Sequence, residues 1–362
     1  MSDVSRLVRE AVDRLVADHV GVVVAAITPD VTEIRGGGRT GGEDGGAPGA
    51  ETVFEIGSVS KVFTALALAR LSATGAADLD EPLAALLPGG ASVPSRDGEE
   101  IALRHLATHT SGLPRLPKGM LLRALLRPSA PDPYAGCTAE FLLRGLAGTR
   151  LGATPGRRFR YSNLGAGLLG LALAHRAGTG YETLITRQIC APLGMADTGI
   201  TLDGGRSARL AQGHTRRRRP AAAWHMADLA GAGGLRSTPA DLVAFVRAHL
   251  DAFARAHPDD DSGDGTGDGT GGVAEAVRLS RRVEHRINPF AWVHLGWMGR
   301  RLHPRQGAHL QLWHNGMTGG FSSFVGFDPE EGVAVVVLSN TQRSLDRPAF
   351  DLLGALQAGR RA

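Results

Sequence analysis

Two uninterrupted apolar stretches lie near opposite ends of this 362-residue chain: VGVVVAAI over residues 20–27 and VAVVVL over residues 333–338. Both are short and rich in β-branched residues, and turn residues bound them: Pro29 and Asp30 close the first. That pattern reads as buried strands rather than helices. A strand cannot stand alone with unpaired backbone groups, so the two ends of the chain have to meet in one sheet. Whatever lies between them is an insertion into that sheet.

The remaining patterns fit this frame. Residues 1–16 place Val4, Leu7, Val8, Val12 and Leu15 on one face with charges between, which predicts an amphipathic helix. Residues 31–35 return as a second strand, the glycine-rich run up to residue 49 forms a flexible tip, and residues 52–56 resume an extended course. From residue 59 to about 250 the periodicity is mostly helical, broken at Pro82, Pro88, Pro114, Pro131, Pro155 and Pro192. Residues 292–298, 310–314, 321–327 and 333–338 read as strands with short connections that favour antiparallel pairing, and residues 348–357 read as a closing helix. The expected class is therefore α+β: an antiparallel sheet flanked by N- and C-terminal helices, with a large, mainly helical subdomain inserted. Residues 1–57 and 273–362 would form the sheet subdomain, residues 58–256 the helical one, and the polar 257–272 segment a flexible loop, all within one domain. The crevice between sheet and helices is the default site.

Charge narrows the function classes. Forty Lys plus Arg against 36 Asp plus Glu leave a net charge of +4, which gives little reason to expect nucleic acid. Cys137 and Cys190 lack zinc-site spacing and read as buried thiols. Residues 20–27 are too short to cross a bilayer and no secretory h-region precedes them, so a cytoplasmic protein without membrane attachment is expected. Of the 40 cationic residues only Lys61 and Lys118 are lysines. An arginine does not deprotonate in a protein, whereas a desolvated lysine does, so a lone lysine at a helix start suggests proton transfer.

Lys61 belongs to the stretch FEIGSVSKVFTALALARL, residues 54–71, in which Ser58 precedes it by three positions. That spacing brings both side chains to one face of a helical turn. A neutral lysine amine there can take the serine proton, making Ser58 a nucleophile, while Ser60 is expected to be supporting structure. The alternative is a plain helix start with a solvent-facing lysine. A second fragment, PGRRFRYSNLGAGLLGLALA from residue 155, places Tyr161 and Asn163 before an apolar helix. Tyr161 can relay a proton and Asn163 can hold the lysine and a substrate carbonyl, or Ser162 and Asn163 simply cap the helix. A third, LQLWHNGMTGGFSSFVGFDP from residue 310, offers two competing turns, Asn315-Gly316 and Thr318-Gly319-Gly320. If the chain reverses at the later one, His314, Asn315 and Gly316 lie on a strand edge, and the N–H groups of Met317 and Ser58 can form an oxyanion hole. His109 reads as structural, residues 216–219 (RRRR) as a solvated loop, and Trp224, His225 and Trp313 as pocket lining or core.

Together SVSK, YSN and HNG resemble the serine β-lactamase and penicillin-binding-protein superfamily, in the branch of class C β-lactamases, D-alanyl-D-alanine carboxypeptidases and family VIII esterases. HLATHTSGLP, APLGMADTGI, AGGLRSTPADLVAF and GVAVVVLSN extend the resemblance from about residue 20 to residue 340. It implies Ser58 as nucleophile, Lys61 as base, Tyr161 as relay, Asn163 as orienting group, and His314 and Gly316 as shapers of the strand edge, with no metal or organic cofactor. His314 stands where true class C enzymes have a lysine. The expected activity is a serine hydrolase or acyltransferase on a small ester, thioester or amide, with water, a small nucleophile or a carrier protein as acceptor. An intracellular esterase or transacylase is the leading expectation. A β-lactamase, a D-alanyl-D-alanine carboxypeptidase or a penicillin-binding sensor without turnover is the alternative.

Overall fold

The computed structural model describes residues 3–42, 45–120, 125–126, 132–254 and 270–359. Strand β1 (Gly21–Ile27) pairs antiparallel with β10 (Val333–Ser339), in register from Val22↔Ser339 to Ile27↔Ala334. The two apolar ends of the chain thus do meet. On the other side of β1 lies β2 (Thr32–Gly38). β3 (Phe54–Glu55) forms a separate small pair with β4 (Arg236–Ser237). The main sheet continues as β5 (Glu284–Asn288), β6 (Ala291–His294), β7 (Met298–Arg301), β8 (Leu310–Met317) and β9 (Ser322–Asp328). Its order is β2-β1-β10-β9-β8-β7-β6-β5.

β1 and β10 lack polar alternation because both faces of the sheet are covered. Val22, Val24 and Ala26, with Val333, Val335 and Val337, pack under the helices Asp3–Val16 and Asp346–Gly359. Val23, Ala25 and Ile27, with Ala334, Val336 and Leu338, face the larger core shared with the helical part. Each neighbouring residue alternates between two cores, as the two-residue period of a strand requires. The second core is centred on the helix Ser60–Ala73, whose residues from Ser60 to Ala69 are all buried.

Several local readings are corrected. Residues 292–298 form a hairpin, β6 and β7, with Gly296 at positive φ (78°) at its tip, rather than one strand. β5 and the helix Thr270–Arg282 were unforeseen. The helix takes residues 270–272 out of the expected loop and packs on Ser60–Ala73. Residues 257–269 of that loop lie outside the described residues. The strand β4 falls within the span expected to be helical, and β2 runs three residues further into the glycine run.

Candidate active site

The approach to Ser58 is set by backbone conformation before any side chain acts. Gly57 has φ +49°, and residues Gly57–Val59 form a single 3₁₀ turn leading into the Ser60–Ala73 helix. No side chain caps this helix, and Ser60 Oγ accepts instead from the N–H of Leu235 at 3.0 Å, tying the turn to the β4 segment. A glycine is required at 57 for conformation and for space: a Cβ there would lie 2.8 Å from the Met317 nitrogen. Ser58 is left with a hydroxyl that the backbone does not use.

Lys61, one helical turn on and 3% exposed, donates from Nζ to Ser58 Oγ at 2.8 Å and to the carbonyl of Ala232. Burial, and secondarily the charge of Arg115, hold its amine well below the usual lysine range. The ring of Tyr161 lies 4.9 Å from the Nζ, measured to its centroid. Burial pushes the Tyr161 phenol up to about 12, against the downward pull of its hydrogen bond to Ser58 and of Arg115. The two groups next to Ser58 are therefore displaced in opposite directions, one toward a neutral base and the other toward a phenol that keeps its proton.

Tyr161 and Asn163 stand on either side of a conventional helix start. Ser162 Oγ accepts from the Gly165 N–H (2.9 Å) and donates to Pro114 O (2.6 Å), so this serine is the cap of the helix Asn163–Arg176. Asn163 interacts with the Tyr134 hydroxyl, and its Oδ1 is buried without a partner. Lysine is held by Ala232 O, and Asn163 is not the group that fixes it. His109, at φ 56°, accepts from the Ser162 N–H and lies against the Tyr161 ring, 4.4 Å between centroids. Burial and the charge of Lys61 keep its imidazole neutral, well below the ordinary range, which suits a structural prop.

The third fragment is a strand edge. Asn315 and Gly316 pair with Phe324 and Ser323, and the chain reverses only after Met317, where Thr318 N–H donates to Phe321 O at 3.0 Å. Strand alternation then turns the Met317 N–H away from β9, toward the Gly57–Val59 turn. A Cβ on Gly316 would collide with Ile56 O and Ser323 Oγ and sit 2.9 Å from the Ser58 nitrogen. Only glycine at 57 and 316 lets strand and turn approach this closely, with the Ser58 and Met317 nitrogens both at the seam. His314 is buried, with Nδ1 2.7 Å from Asn315 O. Burial and then the Lys61 charge drive its imidazole down to about 3. It is neutral at physiological pH and does not replace a lysine's charge.

These residues bound a cleft of about 470 Å³ lined by Ser58, Tyr161, Asn163, Trp224, Gly316 and Met317, among others. Sequence reasoning missed several of its walls, Arg115, Tyr134 and Asp346 among them. Arg115 is exposed, its guanidinium 5.2 Å from the Tyr161 ring centroid, and Tyr134 packs on Trp224. Asp346 enters from the start of the last helix. The signal for Arg115 was its position directly after HTSGLP. Nothing in the local sequence marks Tyr134 or Asp346, since both are brought in by tertiary contact. His225 is exposed outside the cleft and Trp313 packs on Phe350 beneath the sheet, so neither lines the pocket. Trp224 does, its N–H donating to buried Glu55 and its carbonyl accepting from Arg236. Residues 216–219 are exposed and are not among the cleft's lining residues. Cys137 and Cys190 are both buried.

A buried amine on a serine hydroxyl and a phenol that keeps its proton, beside a seam that holds the Ser58 and Met317 N–H groups, make the cleft suited to acyl transfer through a serine. The β-lactamase family model matches residues 7–360, so the chain belongs to that family. It is 29% identical to the D-alanyl-D-alanine-carboxypeptidase/endopeptidase AmpH of Escherichia coli, over 91% of this chain and 83% of that one. It is also 27% identical to a β-lactamase of Pseudomonas fluorescens, over 94% of each. A Yersinia pestis β-lactamase/D-alanine carboxypeptidase structure superposes with a TM-score of 0.80 at 24% identity, covering 99% of both chains. A class C β-lactamase from Rhodobacter sphaeroides gives 0.78 at 23%, covering 98% of this chain and all of that one. The fold is that of the β-lactamase/transpeptidase class, and the protein is a serine hydrolase acting through an acyl-enzyme.

Proposed function

We propose that the protein is an esterase or transacylase of small acyl substrates, with Ser58 as the acylated residue. The observation that carries this reading is the 2.8 Å contact of Ser58 Oγ with a lysine amine that burial holds well below the usual lysine range. Lys61 takes the Oγ proton as the Oγ–C bond forms, and the carbonyl oxygen becomes an oxyanion facing the N–H groups of Ser58 and Met317. Tyr161 passes its proton to the leaving atom as that bond breaks, and is reprotonated from Lys61. The same groups in reverse activate water or an acceptor nucleophile against the acyl-enzyme. Preference for an ester over a β-lactam is supported by His314, whose neutral ring gives the strand edge no fixed positive charge for a substrate carboxylate.

A second reading, β-lactam or D-alanyl-D-alanine turnover or a stable penicillin adduct, draws support from the names of the relatives and from Arg115, an exposed cation on the cleft. One experiment separates them: a short-chain p-nitrophenyl ester, nitrocefin and a D-alanyl-D-alanine peptide are assayed side by side, with intact-mass detection of adducts. Ester turnover with slow or absent nitrocefin hydrolysis is expected. Nitrocefin turnover at a rate equal to the ester's would sink the preference. An adduct that maps elsewhere than Ser58 would sink the site.

A further inference from the structure

Two charged side chains line the cleft, Arg115 and Asp346, and the proton chemistry does not use the second. Asp346 opens the helix Asp346–Gly359, where an acidic residue is favoured by the helix dipole alone. Its carboxylate is nevertheless turned across to β8, where the Asn315 amide Nδ2 donates to Oδ1 and Oδ2, each at 3.0 Å. A carboxylate offers about four acceptor positions and one amide nitrogen fills only part of them. Among the described residues no cation pairs with it: Arg343 is engaged with Asp18 at 3.0 Å, and Arg300 lies over the Trp313 and Phe350 rings. Arg347 is its chain neighbour, and successive helix residues do not face each other.

The surrounding strand edge is uncharged. His314 is neutral, Gly316 has no side chain, and Asn315 spends its amide on the aspartate. The cleft therefore carries an unpaired anion on its β8 side and a cation, Arg115, on its Tyr161 side. Building on the acyl-transfer reading above, we propose that the part of the substrate lying past the β8 edge carries a positive charge, an ammonium or guanidinium group, which Asp346 receives. Asn315 is the positioning residue that aims the carboxylate. A substrate anion at that end would meet a like charge.

The test uses the Ser58→Ala protein, so that binding is read without turnover. Two sets of phenyl amides are made, one with the charge on the acyl chain and one on the leaving side, each with ammonium, neutral and carboxylate members. In one of the sets the ammonium member should bind at least about tenfold more tightly than the carboxylate member, a ratio that shrinks in high salt. Asp346→Asn in the same background should bring the ratio close to one, and Asp346→Lys should invert it. Equal binding of all members in both sets, or a ratio that survives Asp346→Asn, overturns the proposal. The acyl-transfer reading fails separately, if wild-type protein forms no adduct on Ser58 with any ester or lactam.

Discussion

The helix starts at Ser58 and at Ser162 look alike in sequence, yet they spend their hydroxyls differently. At Ser162 the hydroxyl closes the first turn of its helix and ties it to Pro114, leaving the neighbouring Asn163 and Tyr161 to face the cleft. At Ser58 the helix goes without a side-chain cap, Ser60 is drawn off to Leu235, and the free hydroxyl meets Lys61. With Ser58 as the proposed acylated residue, the reactive serine is the one that the local structure has left unemployed. An uncapped helix forgoes about 1 kcal/mol, and the buried core around Ser60–Ala73 absorbs that loss.

The comparison breaks most visibly at the reacting pair. Ser58→Ala should reduce ester turnover by about 10⁴-fold or more while the unfolding midpoint stays near wild type, because its hydroxyl caps nothing. Lys61→Arg should be of similar severity in single-turnover assays, since the guanidinium keeps its protons. Either variant retaining wild-type turnover would dissolve the distinction between the two helix starts.

Gly316→Ala is expected to cost about a hundredfold to a thousandfold in kcat, roughly the value of one oxyanion donor, with circular dichroism unchanged. The added methyl must push β8 off the Ser58 turn. Full activity would show that the two N–H groups need no such close approach.

The pH dependence sharpens the contrast. Catalysis needs neutral Lys61, so kcat/KM should climb as pH rises through its depressed value and then hold a plateau, because Tyr161 keeps its proton to about 12. Arg115→Gln removes a charge that lowers Lys61, so the acid limb should move to higher pH, and by less in high salt because Arg115 is exposed. A limb that stays put or moves to lower pH would remove Arg115 from the site's electrostatics.

The smallest effect belongs to the conventional start. Ser162→Ala should lower stability by about 1–2 kcal/mol in urea unfolding, with losses of activity limited to what the loosened Tyr161 and Asn163 explain. A catalytic loss as large as that of Ser58→Ala would mean the two serines had been assigned the wrong way round.

Much of this was legible in the chain. The apolar runs at 20–27 and 333–338 admit little but paired, doubly covered strands, and SVSK, YSN and HNG name Ser58, Lys61, Tyr161 and the strand edge in order. Period and spacing are local properties, and local properties survive in a sequence. The hairpin turn was not local: Asn315-Gly316 has the composition of a turn, but β9 pairing past Ser322 keeps it extended. Nor were the neutral state of His314, the unpaired carboxylate of Asp346, or Tyr134 behind Asn163. The sequence by itself determined which strands must pair and which residues can do acyl chemistry. Only the tertiary structure decided which hydroxyl stays free and how each group is charged, because desolvation and partner choice come from residues that are distant along the chain and adjacent in the fold.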